Sequence, residues 1–146
     1  MANRTWLITG VSSGFGNEMT KQLLEKGDIV IGTVRNTEKV KELIEKYPLT
    51  FDCRILDVTE IYKVHEFISS AFEKHGKIDV IVNNAGYGLF GAAEELSETD
   101  INKIMATNLT APIMIIHDSL PYLRKQGGGR IIQLSSYGGQ VAYPAN

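Results

Sequence analysis

Between an apolar run and a stretch of helical period, the segment Thr9-Gly10-Val11-Ser12-Ser13-Gly14-Phe15-Gly16 gathers three glycines and two serine hydroxyls. Glycine lacks a Cβ, so a chain can turn tightly there and bring bare backbone N–H groups against an anion. A helix N-terminus aims such groups at negative charge. Gly10, Ser12, Ser13, Gly14, Phe15 and Gly16 are therefore candidates to cradle a dinucleotide diphosphate. A second candidate position follows the next apolar run, which ends Thr33-Val34-Arg35-Asn36. An acidic side chain at that strand end would favour an unphosphorylated ribose. Arg35 instead offers a fork of donors matched to a dianionic 2′-phosphate, which predicts NADP as the cofactor, with NAD the alternative.

The elements that must position these groups can be read from the period of the apolar residues. Short β-rich runs alternate with longer helical stretches, the sequence form of βαβ units on a parallel sheet. Thr5–Gly10, Asp28–Val34, Phe51–Leu56, Ile78–Val82 and Arg130–Leu134 read as five strands. Gly27, Pro48, Gly76 and the glycines at 127–129 stop the intervening helices, and Thr59 reads as an N-cap. Ser97 and Asp100 resemble a capping box. They open one long helix whose apolar face is read as Ile101, Ile104, Met105, Leu109, Ile113, Ile116, Leu120 and Leu123. The predicted fold is a single α/β domain with a doubly wound parallel sheet of usual order 3-2-1-4-5-6, with ligand bound where the order reverses. Five strands are accounted for and a sixth is not.

After the fourth strand stands Asn83-Asn84-Ala85-Gly86. Two amides can fix a loop by side-chain hydrogen bonds, and Ala-Gly leaves a flat backbone against which a ribose can lie. This motif, together with a glycine turn spaced Gly-x-x-x-Gly-x-Gly rather than Gly-x-Gly-x-x-Gly, resembles the short-chain dehydrogenase/reductase family across all 146 residues. The resemblance implies a Rossmann-type fold and an oxidoreductase moving a hydride between a nicotinamide and an alcohol or ketone. It implies cofactor contacts at Asn83, Ala85 and Gly86, an adenine-contacting pair at Asp57 and Val58, and a bond from Thr9 across to the Asn-Asn-Ala-Gly loop. Thr107-Asn108-Leu109 resembles the family's catalytic asparagine site. Pro112, four residues on, has no N–H to give the Asn108 carbonyl, which opens a place for a water. Gln133-Leu134-Ser135-Ser136 resembles the active-site serine segment. Ser136 is the catalytic position when Gly139 and Pro144 are aligned, with Ser135 the register alternative. The family's proton-donating tyrosine, and the lysine four residues beyond it, are expected past Asn146. Tyr137 is followed at that distance by Val141, and Tyr143 lies too close to Ser136. The 146-residue chain alone is thus expected to be truncated before its chemistry is complete, and inactive.

Bulk properties narrow the alternatives. Fifteen Lys and Arg against 17 Asp and Glu give a formal charge of -2, without the concentrated positive charge that nucleic-acid binding needs. The single cysteine excludes an internal disulfide, no His or Cys pair has metal-ligand spacing, and no membrane span or leader pattern is evident. These point to a cytoplasmic protein with a small-molecule substrate and no metal. Family members are commonly homo-dimers or tetramers, with the long helix as a candidate interface. Tyr87, Leu89 and Phe90 could line an apolar substrate pocket or pack in the core. Two other readings remain at this level: an NADP-binding sensor without turnover, and an epimerase or dehydratase on the same fold.

Overall fold

The computed structural model describes residues 3–141. One parallel sheet runs β3-β2-β1-β4-β5, formed by β1 (Thr5–Ile8), β2 (Ile29–Val34), β3 (Phe51–Ile55), β4 (Val80–Asn83) and β5 (Arg130–Gln133). The connecting helices are α1 (Gly14–Glu25), α2 (Lys41–Lys46), α3 (Ile61–His75), α4 (Glu98–Met105) and α5 (Ala111–Lys125). This is the doubly wound α/β arrangement expected, with the order reversing between β1 and β4.

Both sheet faces are covered, which is why the strands read as near-continuous apolar runs. Leu7, Ile31 and Ile81 point to one face and join Val64, Phe67 and Ile68 of α3 and Ile115 of α5. Their sequence neighbours Ile8, Val30 and Val82 point to the other, against Leu23 and Leu24 of α1 and Leu43 of α2. At Gly32, on β2, a Cβ would fall 2.7 Å from Val11 Cγ2 and 2.9 Å from Phe51 Cε2. The bare backbone there lets the glycine-turn segment seat on the sheet.

Several boundaries differ from the sequence expectation. The first strand ends at Ile8, because the chain already turns at Gly10 with φ +74°. Thr59 is not an N-cap. Its N–H and hydroxyl both donate to Asp57 Oδ1, at 3.0 and 2.7 Å, and Glu60 occupies the cap position of α3 without a side-chain bond. Ser97 does cap α4, accepting from the Asp100 N–H at 3.1 Å.

The single long helix is interrupted by a π-helical turn, Ala106–Thr110, in which the Ala111 N–H reaches the Ala106 carbonyl. Pro112 sits just inside α5. Without an N–H it cannot close an ordinary turn on Asn108, and the backbone widens there. The apolar face is also reassigned. Ile101, Met105, Leu109 and Ile113 are exposed, whereas Ala111, Ile115 and Leu123 are buried. Residues 113 and 115 lie about 200° apart on a helix, and the apolar face read from the sequence included the exposed stripe but left out Ala111 and Ile115.

Candidate functional site

A cleft of about 1170 Å³ opens at the carboxyl ends of the strands, over the point where their order reverses. Its first wall is the glycine turn, with Gly10, Ser12, Ser13, Gly14 and Phe15 on the lining. Ser13 is the N-cap of α1 but makes no side-chain cap, and the helix has no acidic residue in its first turn. The orphan N–H groups of that turn thus have no side-chain acceptor. At Gly14, with φ +57°, nothing lies within 4 Å of where a Cβ would stand. An uncapped helix start beside open space is the surface a diphosphate fits.

Behind that wall, the two sequence motifs lock together. Thr9 Oγ1 accepts from the N–H groups of Asn84 and Ala85, at 3.1 and 3.0 Å, and itself lies at hydrogen-bond range of the Val82 carbonyl. Asn84 Nδ2 donates to the carbonyls of Thr9 and Gly10, both at 2.9 Å. Gly16 is buried, and a Cβ on it would fall 2.3 Å from both Asn84 Nδ2 and the Gly10 carbonyl. Gly10 is similarly tight, 3.0 Å from Ala85 Cα. Gly16 therefore serves the packing of α1 against the central loop. Asn83 is also buried, and its amide has no hydrogen-bond partner among the described residues. Asn84, not singled out from sequence, is the clamp.

Past the ends of β2 and β3, the cleft is lined by Arg35, Asp57 and the buried Val58. The Thr59 N–H beside Asp57 holds its carboxyl below the usual carboxylate range against the opposing effect of burial, and the charges of Arg35 and Lys103 add to this. Lys103 of α4 and Thr107 of the π-helical turn line the same cleft. The sequence assigned neither to a site, because their polar types sit in a helical stretch read for its apolar stripe.

Toward the centre, Asn108 uses its whole amide on the loop after β4. Nδ2 donates to the Tyr87 carbonyl at 2.7 Å, and Oδ1 accepts from the Tyr87 N–H at 3.1 Å. The side chain packs over Ala85-Gly86, with its Oδ1 3.3 Å from where a Cβ on Gly86 would be. Ser135 and Ser136 both line the cleft and are exposed. Ser136 Oγ accepts from the Gly138 N–H at 3.2 Å. Tyr87 lines the cleft and Phe90 is exposed; Tyr143 and Pro144 lie outside the described residues. On the far side, His65 of α3 and His117 of α5 both contact Asp118. No group of three or more His, Cys, Asp or Glu among the described residues is placed to hold a metal, and no helix there is long and apolar enough to cross a membrane.

The model of a family described as short chain dehydrogenase matches residues 4–146. The chain is 38% identical over 138 residues to a 3-ketodihydrosphingosine reductase of Bacteroides thetaiotaomicron, covering 94% of this chain and 49% of that protein. A crystal structure of a short-chain dehydrogenase from Streptomyces avermitilis superimposes with a TM-score of 0.94 at 34% identity, covering 99% of this chain and 53% of that one. ElxO, solved with NADP bound, gives a TM-score of 0.89 at 32% identity, with 99% and 60% covered. The chain spans about half the length of the curated relatives it matches.

Proposed function

Because this chain belongs to the short-chain dehydrogenase family, we propose that the whole protein is an NADP-dependent oxidoreductase acting on an alcohol or carbonyl of a small molecule. The observation that carries the reading is the uncapped first turn of α1, open to a cleft whose adenosine end carries Arg35. When bound, a nicotinamide coenzyme supplies or accepts the hydride. Ser12, Ser13, Gly14 and Phe15 hold its diphosphate, with Gly10 and Gly16 allowing the close turn. Arg35 takes the 2′-phosphate, Asp57 accepts from the adenine amine beside Val58, and Ala85 and Gly86 bed a ribose on a loop whose strand ends in Asn83. The related ElxO, solved with NADP bound, supports the choice of coenzyme.

Ser136 is the better placed serine to polarise a substrate carbonyl. Its oxygen already accepts from Gly138, so its proton remains to be donated toward an oxygen gaining negative charge. Asn108 acts through its backbone, since its amide is committed to Tyr87. Its carbonyl, facing a proline without an N–H, holds a water on the proton path. The exposed stripe Ile101, Met105, Leu109 and Ile113, whose last two residues also border the open cleft, is the surface on which whole protomers associate as dimers or tetramers.

Calorimetric titration of the whole protein with NADPH and NADH tests the reading. NADPH is expected to bind at least about tenfold more tightly, the scale of one charge-assisted bidentate contact, and Arg35→Asp to reverse the order. Equal affinity for the two coenzymes would remove the NADP assignment. No affinity for either would remove the function.

A further inference from the structure

We infer that Lys103, on α4, is a second cation for the cofactor's 2′-phosphate, lining the same cleft as Arg35 from a different element. The inference rests on the proposed NADP reading and adds a residue to it.

α4 turns one face to the cleft. Lys103 and Thr107 lie one turn apart and both line it, while Ile101 and Met105 are exposed away from its lining. Helical spacing thus fixes the Lys103 face of α4 toward the cavity that Arg35 and Asp57 line from the strand ends. Thr107 secures the register of that face, its hydroxyl donating to the Lys103 carbonyl at 2.9 Å. The Lys103 charge acts on the Asp57 carboxyl together with that of Arg35, and all three residues line the one cleft.

Charge balance then assigns the role. Asp57 carries a negative charge at the end where a 2′-phosphate brings roughly another -1.5 to -2 at neutral pH, as phosphate monoesters do. Arg35 alone would leave that end at about -1.5 to -2 once the cofactor is bound, and Lys103 lowers the excess to about -0.5 to -1. Among the described residues Lys41, Lys63 and Lys77 pair with Glu38, Glu60 and Asp79, whereas neither Arg35 nor Lys103 forms a salt bridge. What sets these two cations apart from the other unpaired ones is that both line the cleft, which already holds the Asp57 carboxylate, an arrangement that suits a dianionic ligand. A lysine is fitted to the second place because its point charge on a flexible stem needs no fixed geometry, leaving the bidentate contact to Arg35.

The test is a titration of the whole protein and its Lys103→Met variant with NADPH, NADH, 2′,5′-ADP and 5′-AMP at low salt. Lys103→Met is expected to weaken NADPH and 2′,5′-ADP about five- to tenfold, as one partly exposed cation–phosphate contact does, and NADH and 5′-AMP less than twofold. The loss should shrink as salt rises and be restored by Lys103→Arg. Equal weakening of all four ligands would place Lys103 on the adenine or diphosphate and overturn the inference, as would unchanged affinity. A wild-type protein that binds neither coenzyme would instead overturn the function proposed above, and one that binds NADPH while Lys103→Met is silent would overturn this inference alone.

Discussion

On the glycine-turn side of the cleft, polar loop atoms are paired inside the protein: Thr9 and Asn84 between them hold four backbone groups of two loops, and Gly10 and Gly16 leave no room for a methyl group. On the opposite side, Ser135 and Ser136 are exposed, Ile132 of β5 is 40% exposed, and an apolar stripe of α4 and α5 faces outward. The first side is closely interlocked, a rigid mould that fits the coenzyme proposed above. The second is exposed in a chain that spans about half the length of its curated relatives. Binding of a coenzyme needs preformed N–H groups, and these are costly to leave loose. On the proposed reading, substrate choice and assembly draw on side chains that the β1–β4 core does not constrain.

The largest effect that would break this contrast is expected at Thr9. Thr9→Val keeps the shape but leaves the Asn84 and Ala85 N–H groups without an acceptor. Unsatisfied buried donors each cost about 1–3 kcal/mol, so denaturant unfolding should show a loss of about 3 kcal/mol, together with weakened NADPH binding. A loss below about 1 kcal/mol would mean the two motifs are not locked through this hydroxyl. Gly16→Ala comes next. Its methyl meets Asn84 Nδ2 and the Gly10 carbonyl at 2.3 Å, and overpacking of this kind costs about 1–3 kcal/mol. Gly14→Ala is its control, open in space but at φ +57°, and should cost about 1 kcal/mol by backbone strain alone.

A smaller effect lies at the outer edge of the rigid half. Asp52 on β3 accepts from Arg54 at 2.9 and 2.7 Å and contacts His75 at 2.9 Å and Lys74 at 3.2 Å. Burial alone would push its carboxyl up, yet these partners, Arg54 first, hold it well below the usual carboxylate range. A depressed native pKa stabilises the fold above the unfolded value near 3.9 and loses that contribution as pH falls toward the native one. Asp52→Asn should therefore destabilise by about 1–2 kcal/mol at pH 7, the scale of charge-assisted bonds, with the difference from wild type narrowing below about pH 4. A difference that stayed constant to pH 2 would show the side chain acting by packing rather than charge.

The rigid half was also the more legible one. Glycine spacing, Asn-Asn-Ala-Gly and alternating β and α runs led to the sheet order and the cleft, because each reports a local backbone demand that few residues meet. Asn84 outranking Asn83 was not readable, since which of two adjacent amides faces the glycine turn depends on strand register. Lys103 was hidden for a related reason. A helix shows which residues share a face, but its period does not say which face meets the sheet, and α4–α5 carry apolar residues on two. The π-helical turn was half visible: Pro112 announced a missing N–H, while the widening of the backbone around Asn108 is a response only the folded chain makes.

The smallest expected effect tests the exposed half directly. Ile113 is 53% exposed and Ile115, two residues on, is 1% exposed. Ile113→Gln should change the unfolding free energy of a dilute protomer by no more than about 0.5 kcal/mol, as surface substitutions do. In light scattering it should move mass from the assembled species toward the protomer, because a polar amide in an apolar contact loses its hydration without gaining a partner. A concentration-independent loss of about 3 kcal/mol, the size expected for truncating a buried isoleucine such as Ile115, would carry a different meaning. The stripe would then be covered within each protomer of the whole protein, and the boundary between rigid and open halves would run through α5 rather than along it.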